Sequence, residues 1–123
     1  MNQTEKLERR LISVALVVED EGLIRLMIRD VLEDLGLEVH EAADGEGGLA
    51  ALLAYASIGL VITDIAMPGM DGLTMLARAR EHRRDFIALT TSGHAEAPKD
   101  EVFLRKPYRA ADLKAKLAQM LVS

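Results

Sequence analysis

The chain has 123 residues, of which 50% are hydrophobic and 28% charged, a composition typical of one folded globular domain. Its net charge of −5 argues against broad attraction to nucleic acid, and the absence of cysteine excludes disulfides, zinc–thiolate sites and a thiol nucleophile. No apolar run approaches the ~20 residues that span a bilayer, so we expect a cytoplasmic protein that binds neither nucleic acid nor membrane.

The first predicted elements are a polar extension, a buried strand and an amphipathic helix. Residues 1–10 are polar and are predicted to precede the folded domain, which covers residues 11–123. The continuous apolar run at 13–18 is typical of a strand buried on both faces. A helix is predicted at 22–35, and Gly36 is well placed to end it. One broad apolar face is predicted for this helix, formed by Leu23, Ile24, Met27, Ile28, Val31, Leu32 and Leu35.

Strands and helices continue to alternate along the rest of the chain. Four further strands are predicted, at 37–41, 59–63, 86–91 and 102–104. Three further helices are predicted, at 45–55, 72–82 and 109–121, with Asp44 and Asp71 as N-caps of the first two. This alternation indicates an α/β fold with a doubly wound, five-stranded parallel sheet. A basic run near the end of the third helix is interpreted as a solvated face, formed by Arg78, Arg80, Arg83 and Arg84.

Polar residues stand at the carboxyl ends of four predicted strands. Right-handed crossovers bring these strand ends to one edge of the sheet, where ligands bind in folds of this class. We therefore expect the residues at these ends to lie close together, although they are far apart in sequence. They are Glu19 and Asp20 after the first strand, Asp64 after the third, Ser92 after the fourth and Lys106 after the fifth.

This set of side chains suits metal-assisted phosphoryl chemistry. Carboxylates gathered within a few Å repel each other unless a cation intervenes, and an all-oxygen acidic pocket suits Mg²⁺. A carboxylate beside bound Mg²⁺ can attack phosphorus and form an aspartyl phosphate. An ammonium group and a hydroxyl, here those of Lys106 and Ser92, can stabilise the negative oxygens of a phosphoryl group.

In this order, the motifs resemble the receiver domain of response regulators in two-component signalling. The resemblance covers residues 13–121, and it implies a flavodoxin-like sheet with strand order 2-1-3-4-5 and no enzymatic turnover beyond the domain's own phosphorylation and dephosphorylation. The motifs that carry it are Glu19-Asp20, Asp64 within ITDIAMPGMDG, Ser92-Gly93 and Lys106-Pro107.

The resemblance implies a phosphoacceptor with a magnesium site. Asp64 would accept the phosphoryl group and would also bind Mg²⁺. Asp20 would bind the ion directly, with Glu19 assisting. The backbone carbonyl of Ala66, two residues after Asp64, would be the remaining protein ligand.

The resemblance also implies the groups that contact the phosphoryl group and respond to it. Lys106 would contact a phosphoryl oxygen, and the bond to Pro107 would be cis. Ser92 would turn its hydroxyl toward the phosphoryl group. Thr91 is the alternative, because the fourth strand can be assigned one residue shorter. Phe103 occupies the aromatic switch position and, lacking a hydroxyl, would act by packing alone.

One departure from the family concerns the helix between the fourth and fifth strands. Only thirteen residues separate Ser92 from Lys106, and they include Pro98 and the fifth strand. We therefore predict that this fourth helix is short or missing, and that residues 93–100 form a loop or a single turn. A further hypothesis is that this loop is mobile and becomes ordered on phosphorylation.

The expected partners are proteins. The resemblance implies a histidine kinase or histidine phosphotransfer protein as phosphodonor and a downstream protein target. Leu26 falls outside the apolar stripe of the first helix, between Arg25 and Arg29. It is either a lone exposed leucine, which is common, or part of the surface on which the donor docks.

Two other functions fit the same fold. A pseudo-receiver would be a binding module that is never phosphorylated, and the complete set of Asp20, Asp64 and Lys106 argues against it. A phosphatase with an aspartate nucleophile usually carries a second aspartate two residues later. Ala66 stands at that position and argues against such an enzyme.

Overall fold

The computed structural model describes residues 12–122, so the extension predicted at 1–10 lies outside the described residues. One parallel sheet of order β2-β1-β3-β4-β5 confirms the predicted fold class and strand order. Its strands are β1 (Val14–Val18), β2 (Glu38–Ala42), β3 (Leu60–Asp64), β4 (Ile87–Ser92) and β5 (Val102–Arg105). The described helices are α1 (Gly22–Asp34), α2 (Gly45–Ala54), α3 (Gly72–Arg80) and α4 (Ala110–Val122). As predicted, no helix lies between β4 and β5.

Helices cover both faces of the sheet, and the central strands are buried between them. β1 and β3 are buried at every position, as their continuous apolar sequences predict. Leu16 faces α2 and α3, whereas its neighbour Val17 faces α1 and α4. Burial of one leucine side chain stabilises the folded state by roughly 1.5–3 kcal/mol. The buried side chains on the two faces of the sheet therefore fix the position of its edge. Among residues 12–122, no helix is both long and apolar enough to cross a membrane.

The helix ends follow the predicted capping signals. The Asp44 carboxylate accepts a hydrogen bond from the Gly47 amide at 2.7 Å at the start of α2. The Asp71 carboxylate does the same for the Thr74 amide at 2.7 Å at the start of α3. Gly36 follows the end of α1 with a φ of 86°, which glycine adopts without strain. Local sequence therefore determines where these helices begin and end.

The solvated role predicted for the four arginines near the end of α3 is wrong for two of them. The Arg80 guanidinium makes a two-pronged ion pair with Glu101, just before β5. Arg83 forms an ion pair with Asp85 and also reaches the backbone near the end of α2 and before β3. There it donates hydrogen bonds to the carbonyls of Leu52, Tyr55 and Ile58. The Leu52 carbonyl, in the last turn of α2, is thus satisfied by a side chain from another element.

The apolar face predicted for α1 is correct in its centre and wrong at its ends. Leu23 is 84% exposed and Leu35 is 47% exposed. Leu23 lies in the first turn, at the sheet edge, and Leu35 follows the last helical residue, so neither lies over the middle of the sheet. The residues of α1 that are buried are Ile28, Val31 and Leu32.

Gly72 allows β3 and α3 to approach closely. It is buried, and its amide donates a hydrogen bond to the Ile65 carbonyl at 2.9 Å. A Cβ at this position would lie 2.1 Å from the backbone oxygen of Asp64. Because this contact is with backbone, only a displacement of the chain could relieve it.

Gly72→Ala should therefore lower the free energy of unfolding by about 3 kcal/mol. Gly22→Ala is the matched control, since Gly22 also opens a helix but its added Cβ would meet only Arg25 Nη2, at 3.9 Å. This control should change the free energy of unfolding by less than about 0.5 kcal/mol. Urea denaturation followed by circular dichroism measures both values, and equal midpoints for the two variants would contradict the prediction.

Candidate functional site

The carboxyl ends of four strands bring the predicted polar residues to one edge of the sheet. Glu19 and Asp20 follow β1, and Asp64 is the last residue of β3. Ser92 is the last residue of β4, and Lys106 follows β5. β3 and β4 each end one residue later than predicted. Asp64 and Ser92 are therefore the last residues of their strands and not the residues that follow them.

Three carboxylates form a cluster at this edge. One oxygen from each of Glu19, Asp20 and Asp64 lies within 4.8 Å of the other two. Glu19 is 1% exposed and Asp64 is 7% exposed, whereas Asp20 is open to solvent. These residues offer oxygen donors without nitrogen or sulfur, which suits a hard divalent cation. The cluster could therefore hold a metal ion.

The Lys106 ammonium lies between two of these carboxylates. Its Nζ donates to Glu19 Oε1 at 2.6 Å and to Asp64 Oδ2 at 3.1 Å. The peptide bond that follows, between Lys106 and Pro107, is cis, as predicted. The ammonium offsets the repulsion between carboxylates that burial would otherwise strengthen.

Burial and the ionic hydrogen bonds shift the pKa values of Glu19 and Lys106 in opposite directions. Burial raises the pKa of Glu19, while the hydrogen bonds from Lys106 and from the Glu21 amide lower it, and the net shift is upward. Burial lowers the pKa of Lys106, but its hydrogen bonds to Glu19 and Asp64 and the negative charges of these two carboxylates together outweigh burial and raise it overall. Lys106 therefore remains a cation while it lies between the acidic groups.

Ser92 and Thr91 are both buried, but only one contributes to the space around Asp64. Ser92 lines the cavity that contains Asp64, whereas Thr91 pairs with Asp64 in the strand register and is absent from that lining. Ser92 Oγ accepts hydrogen bonds from the amides of His94 at 3.2 Å and Ala95 at 2.9 Å. Of these two residues, Ser92 is therefore the one that lines the cavity, and its role as the hydroxyl that contacts a group on Asp64, with Thr91 as the alternative, stays a prediction.

The site opens into a cavity of about 550 Å³ that is lined by both polar and apolar residues. Ala66, whose carbonyl is the predicted metal ligand, lines it together with Asp20 and Asp64. The apolar part is formed by Ile24, Met27, Pro107 and Tyr108. Tyr108 was not predicted as a site residue, and the only sequence signal for it is its position directly after Lys106-Pro107.

The segment between β4 and β5, residues 93–101, is fastened at both ends. Arg105 donates a hydrogen bond to the Ala95 carbonyl at 2.7 Å, and its guanidinium lies 4.7 Å from the centre of the Phe103 ring. Glu101 is held by Arg80 at the other end. Phe103, the predicted aromatic switch, is half-buried, with the Arg105 guanidinium over its ring.

Leu26 is 49% exposed on α1, in agreement with its place outside the apolar stripe. Leu23, one turn earlier and 84% exposed, enlarges the same apolar surface. Both lie in the first two turns of α1, at the end of the helix that borders the acidic cluster.

Comparison with known proteins finds a matching family and several similar proteins. The family described as Response regulator receiver domain matches residues 15–118. The sensor kinase CckA of Brucella abortus (strain 2308) is 33% identical over 118 residues, which cover 89% of this chain and 12% of the kinase. The response regulator receiver protein CpdR of the same strain is 30% identical over 116 residues, which cover 88% of this chain and 96% of CpdR.

Solved structures agree with the sequence relatives. The receiver domain from hybrid histidine kinase CckA has a TM-score of 0.78 and 35% identity, with 89% of this chain and 99% of that domain covered. A response regulator receiver protein from Sinorhizobium medicae WSM419 has a TM-score of 0.79 and 28% identity, with 90% and 95% covered. By sequence and by fold, the chain belongs to the response regulator receiver domain family of two-component signalling.

Proposed function

We propose that this receiver domain is a Mg²⁺-dependent phosphoacceptor in a two-component phosphorelay. Asp64 would be phosphorylated by a histidine kinase or a histidine phosphotransfer protein. The observation that carries the proposal is the setting of Asp64, which is buried, 3.1 Å from the Lys106 ammonium and clustered with two other carboxylates. A nucleophilic carboxylate, a cation and a metal-binding group are thus together in one cavity.

In the proposed reaction, an Asp64 carboxylate oxygen attacks the phosphorus of a phosphohistidine. The new P–O bond forms as the P–N bond breaks, and the imidazole nitrogen keeps the electron pair of the broken bond. Lys106 contacts a phosphoryl oxygen, and the Ser92 hydroxyl donates a hydrogen bond to another. The domain would catalyse only its own phosphorylation and dephosphorylation.

Oxygen atoms of this chain would hold the ion. Asp20 and Asp64 would bind it directly, Glu19 would assist, and the Ala66 carbonyl would complete the protein ligands. When bound, Mg²⁺ supplies positive charge that offsets the charge on the transferring phosphoryl oxygens. The oxygen-only donor set of the cluster supports Mg²⁺ over metals that prefer imidazole or thiolate ligands.

Signalling would proceed through protein contacts in the cytoplasm, without nucleic acid or membrane as a partner. The exposed Leu23 and Leu26 form an apolar surface beside the acidic edge, on which the phosphodonor would dock. The fastened segment 93–101 lies next to Ser92, and Phe103 pairs with Thr90, two residues before Ser92. A downstream protein target could detect phosphorylation there. Phe103 would respond by packing alone, since it has no hydroxyl.

Incubation with Mg²⁺ and acetyl phosphate should add one phosphoryl group to the wild type and none to Asp64→Asn, because an amide is not a nucleophile toward phosphorus. Asp71→Asn is the matched control, since asparagine also caps helices well and the variant should still gain the group. Intact mass spectrometry, with and without Mg²⁺, measures the adduct.

An adduct on Asp64→Asn, or one that forms equally without Mg²⁺, would refute the proposal. If the wild type bound neither a phosphoryl group nor beryllium fluoride, a stable phosphoryl mimic, the chain would be a pseudo-receiver. Steady release of phosphate from many unrelated donors would instead indicate an enzyme.

Lys106→Met should slow phosphorylation by about 100-fold, because a cationic contact to the transferring group is lost. The same change should raise Mg²⁺ affinity several-fold, because no ammonium group then competes with the ion for the carboxylates of Glu19 and Asp64. Lys99→Met, an exposed substitution in the segment 93–101, is the control. Calorimetric titration with Mg²⁺ and phosphorylation rates measured by mass test both effects, and a fall in Mg²⁺ affinity would contradict the stated role of Lys106.

Leu26→Ala should slow phosphotransfer from a phosphorylated histidine kinase by about tenfold, because a buried leucine contact in a protein interface would be lost. It should leave the rate with acetyl phosphate unchanged. Leu53→Ala is the matched control, since Leu53 is 48% exposed but lies on α2. Equal kinase-dependent rates for the two variants would exclude Leu26 from the docking surface.

A further inference from the structure

Tyr108 has a hydroxyl that lacks a partner. Among residues 12–122, its Oη is the only buried polar side-chain atom without a hydrogen bond. An unsatisfied buried hydroxyl destabilises a fold, and phenylalanine would fill the same space without that penalty. The hydroxyl therefore points to an acceptor that becomes available only when the site changes.

The surroundings of Tyr108 indicate which groups that acceptor can come from. Tyr108 lines the cavity that contains Asp20, Asp64 and Lys106. Burial raises the pKa of Tyr108, and the negative charges of Glu19 and then of Asp64 raise it further. The phenol thus stays protonated and can donate. Glu19 borders this cavity, since one of its oxygens lies within 4.8 Å of oxygens of Asp20 and Asp64 and its Oε1 accepts a hydrogen bond from Lys106 at 2.6 Å.

Glu19 is the carboxylate that would lose a hydrogen-bond donor when Asp64 is phosphorylated. In the unphosphorylated domain its Oε1 accepts from Lys106 at 2.6 Å and its Oε2 accepts from the Glu21 amide at 3.1 Å. Glu19 is only 1% exposed, so solvent water cannot readily replace Lys106. If Lys106 turns to a phosphoryl oxygen on Asp64, Glu19 is left buried with one donor fewer.

We propose that Tyr108 is a positioning residue whose hydroxyl donates to the Glu19 carboxylate in the phosphorylated state, in place of Lys106. This inference rests on the proposed phosphoacceptor function. A phenol is a neutral donor, so it satisfies the carboxylate without adding positive charge that would compete with a metal ion. Glu19 then stays oriented toward the cluster while Lys106 serves the phosphoryl group.

The first test compares two states of Tyr108→Phe, with Tyr55→Phe as the control. Without ligand, Tyr108→Phe should melt at the same temperature as the wild type or higher, because an unsatisfied hydroxyl is removed. With Mg²⁺ and beryllium fluoride, its apparent affinity for the mimic should fall about tenfold, because a hydrogen bond to a charged group is lost. Tyr55 is exposed, stacked on His40, and its variant should change neither value.

The second test observes the hydroxyl itself. The sequence has two tyrosines and no tryptophan, so Tyr55→Phe leaves Tyr108 as the sole tyrosine fluorophore. A phenol that donates to a carboxylate loses emission. Addition of Mg²⁺ and beryllium fluoride to Tyr55→Phe should therefore quench its tyrosine fluorescence, an effect that a purely structural role for Tyr108 would not produce.

The outcomes separate this inference from the proposed function. Binding of the mimic by the wild type, with unchanged affinity in Tyr108→Phe or unquenched Tyr108 emission, would overturn the role of Tyr108 and leave the phosphoacceptor intact. Failure of the wild type to bind the mimic would overturn both. If Tyr108→Phe failed to fold, the emission of the Tyr55→Phe protein would still decide the question.

Discussion

The arrangement of this site depends on the Lys106 ammonium. It reaches from the end of β5 to Glu19 beyond β1 and to Asp64 at the end of β3, so it ties together strands that are not neighbours of β5 in the sheet. Each buried charge carries a desolvation penalty of several kcal/mol, which only a close partner of opposite sign offsets. The bonds that stabilise the unphosphorylated edge are therefore the same bonds that phosphorylation would have to exchange.

Local patterns were sufficient to predict most of the framework. Continuous apolar runs marked the buried strands, and the capping signals at Asp44, Asp71 and Gly36 marked helix ends, because each acts within a few residues of its own position. The strand ends were less accurate. The parallel ladder continues to Asp64 and Ser92, and whether a neighbouring strand extends that far is not a local property.

Features that depend on distant parts of the chain were not predicted. Arg83 binds carbonyls that precede it by 25 to 31 residues, and no periodic pattern marks such a bond. The period of α1 identified the correct face, but it could not show that Leu23 extends beyond the covered part of the sheet. The unsatisfied hydroxyl of Tyr108 was equally invisible, since it arises from burial and from the absence of nearby acceptors.

No helix lies between β4 and β5, so under the proposed function phosphorylation of Asp64 would be transmitted through the segment 93–101. Ser92 Oγ already accepts from two amides of the following segment, and a hydroxyl can accept twice and still donate its one proton. Under the proposed function, Ser92 would therefore donate to a phosphoryl group on Asp64 without releasing Ala95. Because Arg105 and Glu101 also hold the segment, the bound hydroxyl would pull a fastened loop toward the site. Such a response would move the segment as a unit. The hypothesis that this segment is mobile and becomes ordered on phosphorylation stays a prediction.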